Sequence, residues 1–197
     1  MKLQEKLPDG VTVKGHFYRM DFDFRNVLRM MDCLARDDLL PDARAFIALK
    51  CLMKRPPRNA DEVLAATREI IFPETKEHAD KQKITDFVQD ADMIRAAFLQ
   101  AYKINLFRDR LHWLEFSSLL SCLPEGSRYS EVLGIRSRPL PAPTKWNAEE
   151  RRSLIQAKAA YALEMSEKEQ ENNYMRCVIN VFAGMKAMAE KGGGEHA

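Results

Sequence analysis

The chain has 197 residues, enough for one compact domain with an added arm, and 46% of them are hydrophobic, as in a globular protein with a core. Its 31 basic and 29 acidic side chains nearly balance, which argues against a nucleic-acid-binding protein. No stretch approaches the roughly 20 apolar residues of a membrane-spanning helix, and the N-terminus lacks the apolar segment of a secretion signal. We therefore expect a protein without a membrane partner that stays in the cytoplasm.

Four cysteines, Cys33, Cys51, Cys122 and Cys177, fall in apolar stretches with helical periodicity, and none stands at the CxxC spacing of a metal or redox motif. A free buried cysteine behaves as a small hydrophobic residue. We predict unpaired thiols in a reducing cytosol.

Residues 1–22 are predicted to form an N-terminal arm with a small β-hairpin. The segment "VTVKGHFYRM" alternates apolar and polar residues on either side of Lys14-Gly15, a pattern typical of two short strands joined by a tight turn. An isolated hairpin is only marginally stable in water, so we expect this one to lie against helices.

Residues 23–137 are predicted to form a helical core. One apolar stripe begins at Phe24, and a second helix starts at Pro41 and stops before the prolines of "KRPPR". Asn59 is a candidate N-cap for a third helix that ends at Pro73, and the polar residues 74–83 predict a loop. Further helices are predicted from Thr85 to Tyr102, over "RLHWLEFSSLLSCL", and from Ser127 to Ile135.

The remaining residues predict a Pro-rich linker over 138–146, a C-terminal helical extension over 147–191 and a flexible tail over 192–197. Asn147 and Glu150 resemble a capping box at the start of the extension. An apolar stripe near its end is a candidate partner-binding surface, which either packs back on the core or lies in a groove of another protein. Its residues are Tyr174, Val178, Val181, Phe182, Met185 and Met188. The fold class is mainly α.

The run "RDRLHWLEF" brings His112, Trp113 and Glu115 close together on a helix, as in a reactive site. Because leucine and aromatic residues surround them, we interpret them as a structural polar lock in which Asp90 or Glu115 satisfies the ring nitrogens of His112 or Trp113.

Two charged clusters have a similar structural interpretation. Asp86, Asp90 and Asp92 lack the spacing and the glycine of a calcium loop, and acidic residues stabilise a first helical turn. Lys50, Lys54, Arg55 and Arg58 match the negative end of a helix dipole. No phosphate loop, nucleophile elbow or HExxH motif is present. We expect no catalytic residue, cofactor or metal, and thus no enzyme.

The central segment "DFVQDADMIRAAFLQAYKINLFRDRLHWLEFSSLLSCLPEGSRYSEVLGIRSRPL" resembles the bacteriophage gene-product-fifteen family, which siphophages and prophages encode. The similarity spans residues 11 to 165, with Leu114 as a departure where the family often has an aromatic residue. The matching residues are Gln89, Asp90, Ala91, Asp92, Ala97, Phe98, Tyr102, Leu111, His112, Trp113, Phe116, Leu119, Leu120, Leu123, Ile135 and Arg136.

The resemblance implies a role in phage tail morphogenesis inside the bacterial host. Genes of this family typically precede the tape-measure gene, the position of tail assembly chaperones, so the implied partners are the tape-measure protein and the tail-tube protein, with self-association also possible. One alternative is a structural component of the mature tail or connector. A weaker one is a DNA-contacting regulatory protein, whose binding to duplex DNA would fall steeply as salt rises.

Overall fold

The structure is a computed structural model that describes residues 4–72 and 84–164. Within these residues it is mainly α-helical, with one two-stranded antiparallel sheet, which confirms the predicted fold class. The elements are β1 Gly10–Val13, β2 His16–Arg19, α1 Phe24–Ala35, α2 Pro41–Lys50, α3 Ala60–Ile71, α4 Ala91–Tyr102, α5 Trp113–Ser121, α6 Arg128–Ser137 and α7 Ala148–Ala160.

The predicted hairpin is present. Lys14 and Gly15 form its two-residue turn with φ angles of 51° and 80°, and Val13 pairs with His16 on either side. Positive φ at both central residues gives the turn the twist that two-residue hairpins favour. At Gly10 a Cβ atom would lie 2.2 Å from the carbonyl oxygen of Tyr18, so only glycine fits at this position of β1. β1 packs against α3, as expected for a hairpin that needs helical support.

An aromatic stack forms the centre of the hydrophobic core. Phe116 of α5 stacks on Phe24 of α1 and on Phe98 of α4, with ring centroids 4.7 and 5.2 Å apart. Offset stacking of this kind adds to the stabilisation from burial alone. α1 packs against α2, and α2 against α3, so that α1 connects the helices of the N-terminal half to this stack.

α4, α6 and α7 form a second group of packed helices. α6 packs against α4, and α7 packs against α6. Leu154 is the one buried residue of α7, so this helix is held largely by polar contacts. The predicted linker, residues 138–146, contains no helix or strand.

Three local predictions were wrong. The helix expected from Thr85 begins only at Ala91, because the Asp86 carboxylate accepts hydrogen bonds from the N–H groups of Val88 and Gln89 and closes a turn there. Asn59 stands at the N-cap position of α3 but forms no capping hydrogen bond with its side chain. Asn147 likewise does not cap α7 with its side chain. Its amide instead bonds to the linker, accepting from Thr144 N–H and donating to the Ala142 carbonyl.

No helix in the described part of the chain is long and apolar enough to cross a membrane. Other predictions lie outside the described residues. They are the polar loop 74–83, Cys177, the flexible tail, and the C-terminal stripe of Tyr174, Val178, Val181, Phe182, Met185 and Met188. The end of the third helix is described: α3 ends at Ile71, two residues before Pro73.

Candidate functional site

His112 caps the N-terminus of α5. Its Nδ1 accepts a hydrogen bond from Leu114 N–H at 3.1 Å, and the Glu115 carboxylate accepts one from His112 N–H, also at 3.1 Å. Because Nδ1 is an acceptor, the proton of the neutral ring is on Nε2, which donates to the Pro8 carbonyl at 2.9 Å. Both ring nitrogens are therefore used, and the histidine ties the N-terminal arm to α5.

Trp113 lies in the core next to this cap. Its indole N–H donates to the main-chain carbonyl of Ile71 at 2.9 Å, at the end of α3. The Phe87 ring packs edge-on against the indole, with a centroid separation of 6.2 Å. A buried indole N–H needs such a partner, since leaving it unpaired costs about 1–3 kcal/mol.

Asp90 belongs to a different site. Its carboxylate is fully buried and forms a bidentate ion pair with the guanidinium group of Arg136, at 2.7 and 2.9 Å. It also accepts from Asp86 N–H at 3.0 Å. The predicted polar lock is corrected accordingly: Glu115 binds the main chain of His112, Asp90 binds Arg136, and backbone groups satisfy the rings of His112 and Trp113. Sequence reasoning gave Arg136 no role.

Arg136 and Gln89 also hold the end of α7, in an arrangement that we call the exit junction (Gln89, Asp90, Arg136, Tyr161 and Glu164). Arg136 Nε donates to the Tyr161 carbonyl at 2.7 Å, just past the last turn of α7. The side-chain amide of Gln89 accepts from Glu164 N–H at 2.7 Å and donates to its carbonyl at 2.9 Å, as a neighbouring strand would.

Two contacts extend the exit junction to the neighbouring backbone. Arg136 Nη1 donates to the Ile84 carbonyl at 3.0 Å, and Lys158 Nζ donates to the Arg136 carbonyl at 2.7 Å. The guanidinium group thus links the turn before α4, α6 and the end of α7. Gln89 then holds the main chain at the last described residue, Glu164.

The model of the Bacteriophage Gp15 protein family matches residues 3–163. The chain belongs to this family. The match confirms the resemblance inferred from the central motifs. No curated protein and no solved structure matches the chain.

Three residues that carry the likeness to the Bacteriophage Gp15 family, Gln89, Asp90 and Arg136, meet in the exit junction. The available signal was Asp90 itself. A carboxylate that becomes buried requires a cation, and arginine is the residue whose guanidinium group can bind it through two hydrogen bonds.

A second charged cluster fixes the start of α1. Asp23 caps this helix by accepting from Arg25 N–H, and its carboxylate also binds the Arg25 and Arg110 side chains. Burial raises the pKa of Asp23, but these hydrogen bonds outweigh it, and the pKa lies below its usual value. Arg110 further contacts Asp21 at 2.7 Å.

In the described ranges no three His, Cys, Asp or Glu side chains are placed to share a metal ion. Of the three aspartates considered as ligands, Asp86 binds backbone N–H groups, Asp90 binds Arg136 and Asp92 binds Arg95. In the basic cluster, the ammonium group of Lys50 lies 5.2 Å from the ring centroid of Phe46, a cation–π contact on α2 itself.

Proposed function

We propose that this member of the Bacteriophage Gp15 family is a non-enzymatic tail assembly chaperone that binds the tape-measure protein. The exit junction is the observation that supports this function. The predicted partner-binding stripe begins at Tyr174, ten positions beyond Glu164, where Gln89 holds the main chain by two hydrogen bonds. The segment that carries the stripe therefore continues from a point that the helical body holds in place.

The chemistry of the stripe suits a helical client. Its tyrosine, phenylalanine and two methionines recur at helical spacing in the sequence, and methionine adapts to surfaces of different shape. A client that offers many similar sites along one long helix needs only a modest affinity at each, because neighbouring copies add avidity.

A binding role also fits the way in which the central polar groups are used. Both ring nitrogens of His112 are engaged, and the Asp90 carboxylate is neutralised by Arg136. A general base has to reach a substrate proton, and both of these groups are engaged in contacts within the protein.

Co-expression with the tape-measure protein of the same phage, followed by affinity capture, tests the proposal. We expect the full chain to retain the tape measure, deletion of residues 171–191 to abolish capture, and deletion of residues 192–197 to leave it intact as the matched control. Within the stripe, Phe182→Ser should weaken capture while Asn180→Ser should not. Equal capture by the chain lacking residues 171–191 would exclude the stripe as the contact.

A further inference from the structure

Two of the cysteines that the sequence suggested were unpaired come together at the interface of α1 and α2. Cys33 lies in the last turn of α1 and Cys51 directly follows α2. Their sulfur atoms are 3.9 Å apart, and both side chains are only partly buried. The Cys51 thiol also points at the Ile47 carbonyl, with Sγ at 3.8 Å from the oxygen.

We propose that Cys33 and Cys51 are a site of oxidative modification, at which a peroxide converts the two thiols into an intramolecular disulfide that cross-links α1 to α2. A disulfide bond is about 2.05 Å long, so the two sulfurs must approach by about 1.9 Å in total. Rotation of the two side chains, together with small shifts of the backbone, can supply this approach. Both residues lie at helix ends, where the backbone adjusts more easily than in the centre of a helix.

The reaction balances with hydrogen peroxide as the only co-reactant. One thiol attacks the peroxide, becomes a sulfenic acid and releases water. The sulfur of the second cysteine then attacks the sulfenic sulfur, the S–S bond forms, the S–O bond breaks, and the proton of the second thiol leaves with the hydroxyl group as a second water. Two sulfurs are each oxidised by one electron, and the peroxide is reduced to two waters.

The surroundings of Cys51 slow its own attack on peroxide. Burial, and then the neighbouring Cys33, raise the pKa of Cys51 to about 11. Cys51 is therefore almost entirely a thiol at neutral pH, and thiols react with peroxide far more slowly than thiolates. Cys122 differs because it is exposed at the end of α5, where oxidation would favour bonds between molecules.

The cross-link would close the segment that contains the α1–α2 turn and the whole of α2. A bond that closes a loop of this size restricts the unfolded chain and raises the unfolding temperature of a domain of this length by roughly 6–12 °C. Any native strain from the approach of the two sulfurs subtracts from this gain.

The test uses the full-length protein, treated with hydrogen peroxide and then denatured in an alkylating reagent that blocks the thiols still free. We expect peptide mass spectrometry without reduction to find a linked peptide containing Cys33 and Cys51, lighter by two hydrogens than the two reduced peptides. The unfolding temperature should rise, and dithiothreitol should reverse the rise.

Matched variants separate this bond from general oxidation. Cys122→Ser should keep the linked peptide and the thermal shift, whereas Cys33→Ser and Cys51→Ser should lose both. Sulfinic acids at both positions, disulfides only to Cys122 or Cys177, or unmodified thiols would each overturn the proposal. The wild-type mass spectrum decides even if a serine variant folds poorly.

Discussion

Substitution of Arg136 by methionine removes the cation that neutralises a buried carboxylate. The side chain of Asp90 is 1% exposed and that of Arg136 10%, and two hydrogen bonds join them at 2.7 and 2.9 Å. Methionine fills a similar volume, so the main change is electrostatic. The Asp90 carboxylate would keep only its bond from Asp86 N–H, and the carbonyls of Ile84 and Tyr161 would lose their donor.

Removing one partner of a buried ion pair costs about 3–5 kcal/mol, because the remaining charge is uncompensated. We expect that loss for Arg136→Met, which corresponds to a fall in unfolding temperature of roughly 6–20 °C for a chain of this size. Asp90→Asn loses a charge-assisted pair but keeps the shape of the side chain, so its cost should be smaller, about 1.5–3 kcal/mol. The double variant should be no less stable than Arg136→Met alone, since no isolated charge remains.

Urea unfolding of the four proteins, followed by circular dichroism at neutral pH, measures this cycle. The losses of unfolding free energy in the two single variants, added together, should exceed the loss in the double variant by about 1.5–3 kcal/mol. This difference is the coupling energy of residues in direct contact. Amide hydrogen exchange adds a local readout: Arg136→Met should speed exchange in α7 more than in the β1–β2 hairpin. Additive losses, within about 0.5 kcal/mol, would refute the ion pair as the element that holds the exit junction.

Three further predictions concern single sites. Trp113→Phe should cost about 1–3 kcal/mol by leaving the Ile71 carbonyl without its donor, while Trp146→Phe, at a 95% exposed side chain, should change urea stability little. The ion pairs of Asp23 lower its pKa, so their stabilisation is complete above the unfolded value of about 3.9 and is lost as pH falls through the folded value. The stability gap between wild type and Asp23→Asn should therefore be constant near neutral pH and shrink below about pH 4; a gap that does not shrink in acid would contradict this. His112→Ala should cost about 1 kcal/mol, and His112→Asn should recover part of it because asparagine is a good N-cap; equal losses for both would remove the cap as the cause.

Local periodicity was sufficient to predict most elements. The Lys14-Gly15 turn and the apolar stripe that starts at Phe24 each depend on neighbouring residues, and both are present in the structure. The start of α4 was missed because Phe87 continues the apolar spacing of the helix through a turn that Asp86 closes. Apolar periodicity does not distinguish a helix from this turn, since the Phe87 ring packs on the core in either case.

The candidate site depended on contacts that are distant in sequence. Asp90 and Arg136 are 46 positions apart, and Trp113 binds a main-chain carbonyl 42 positions away. The residue types indicated that the polar groups of Asp90, His112 and Trp113 each need a hydrogen-bond partner, and each of the three has one. They did not indicate which partner, because a backbone carbonyl leaves no mark on the sequence.

The composition of purified virions, compared with that of assembling cells, tests the proposed function most directly. Quantitative mass spectrometry should find this protein in complex with the tape measure in lysates of infected cells and should not find it in finished particles. A stoichiometric ring of copies in the mature tail would contradict the chaperone function and would establish a structural component.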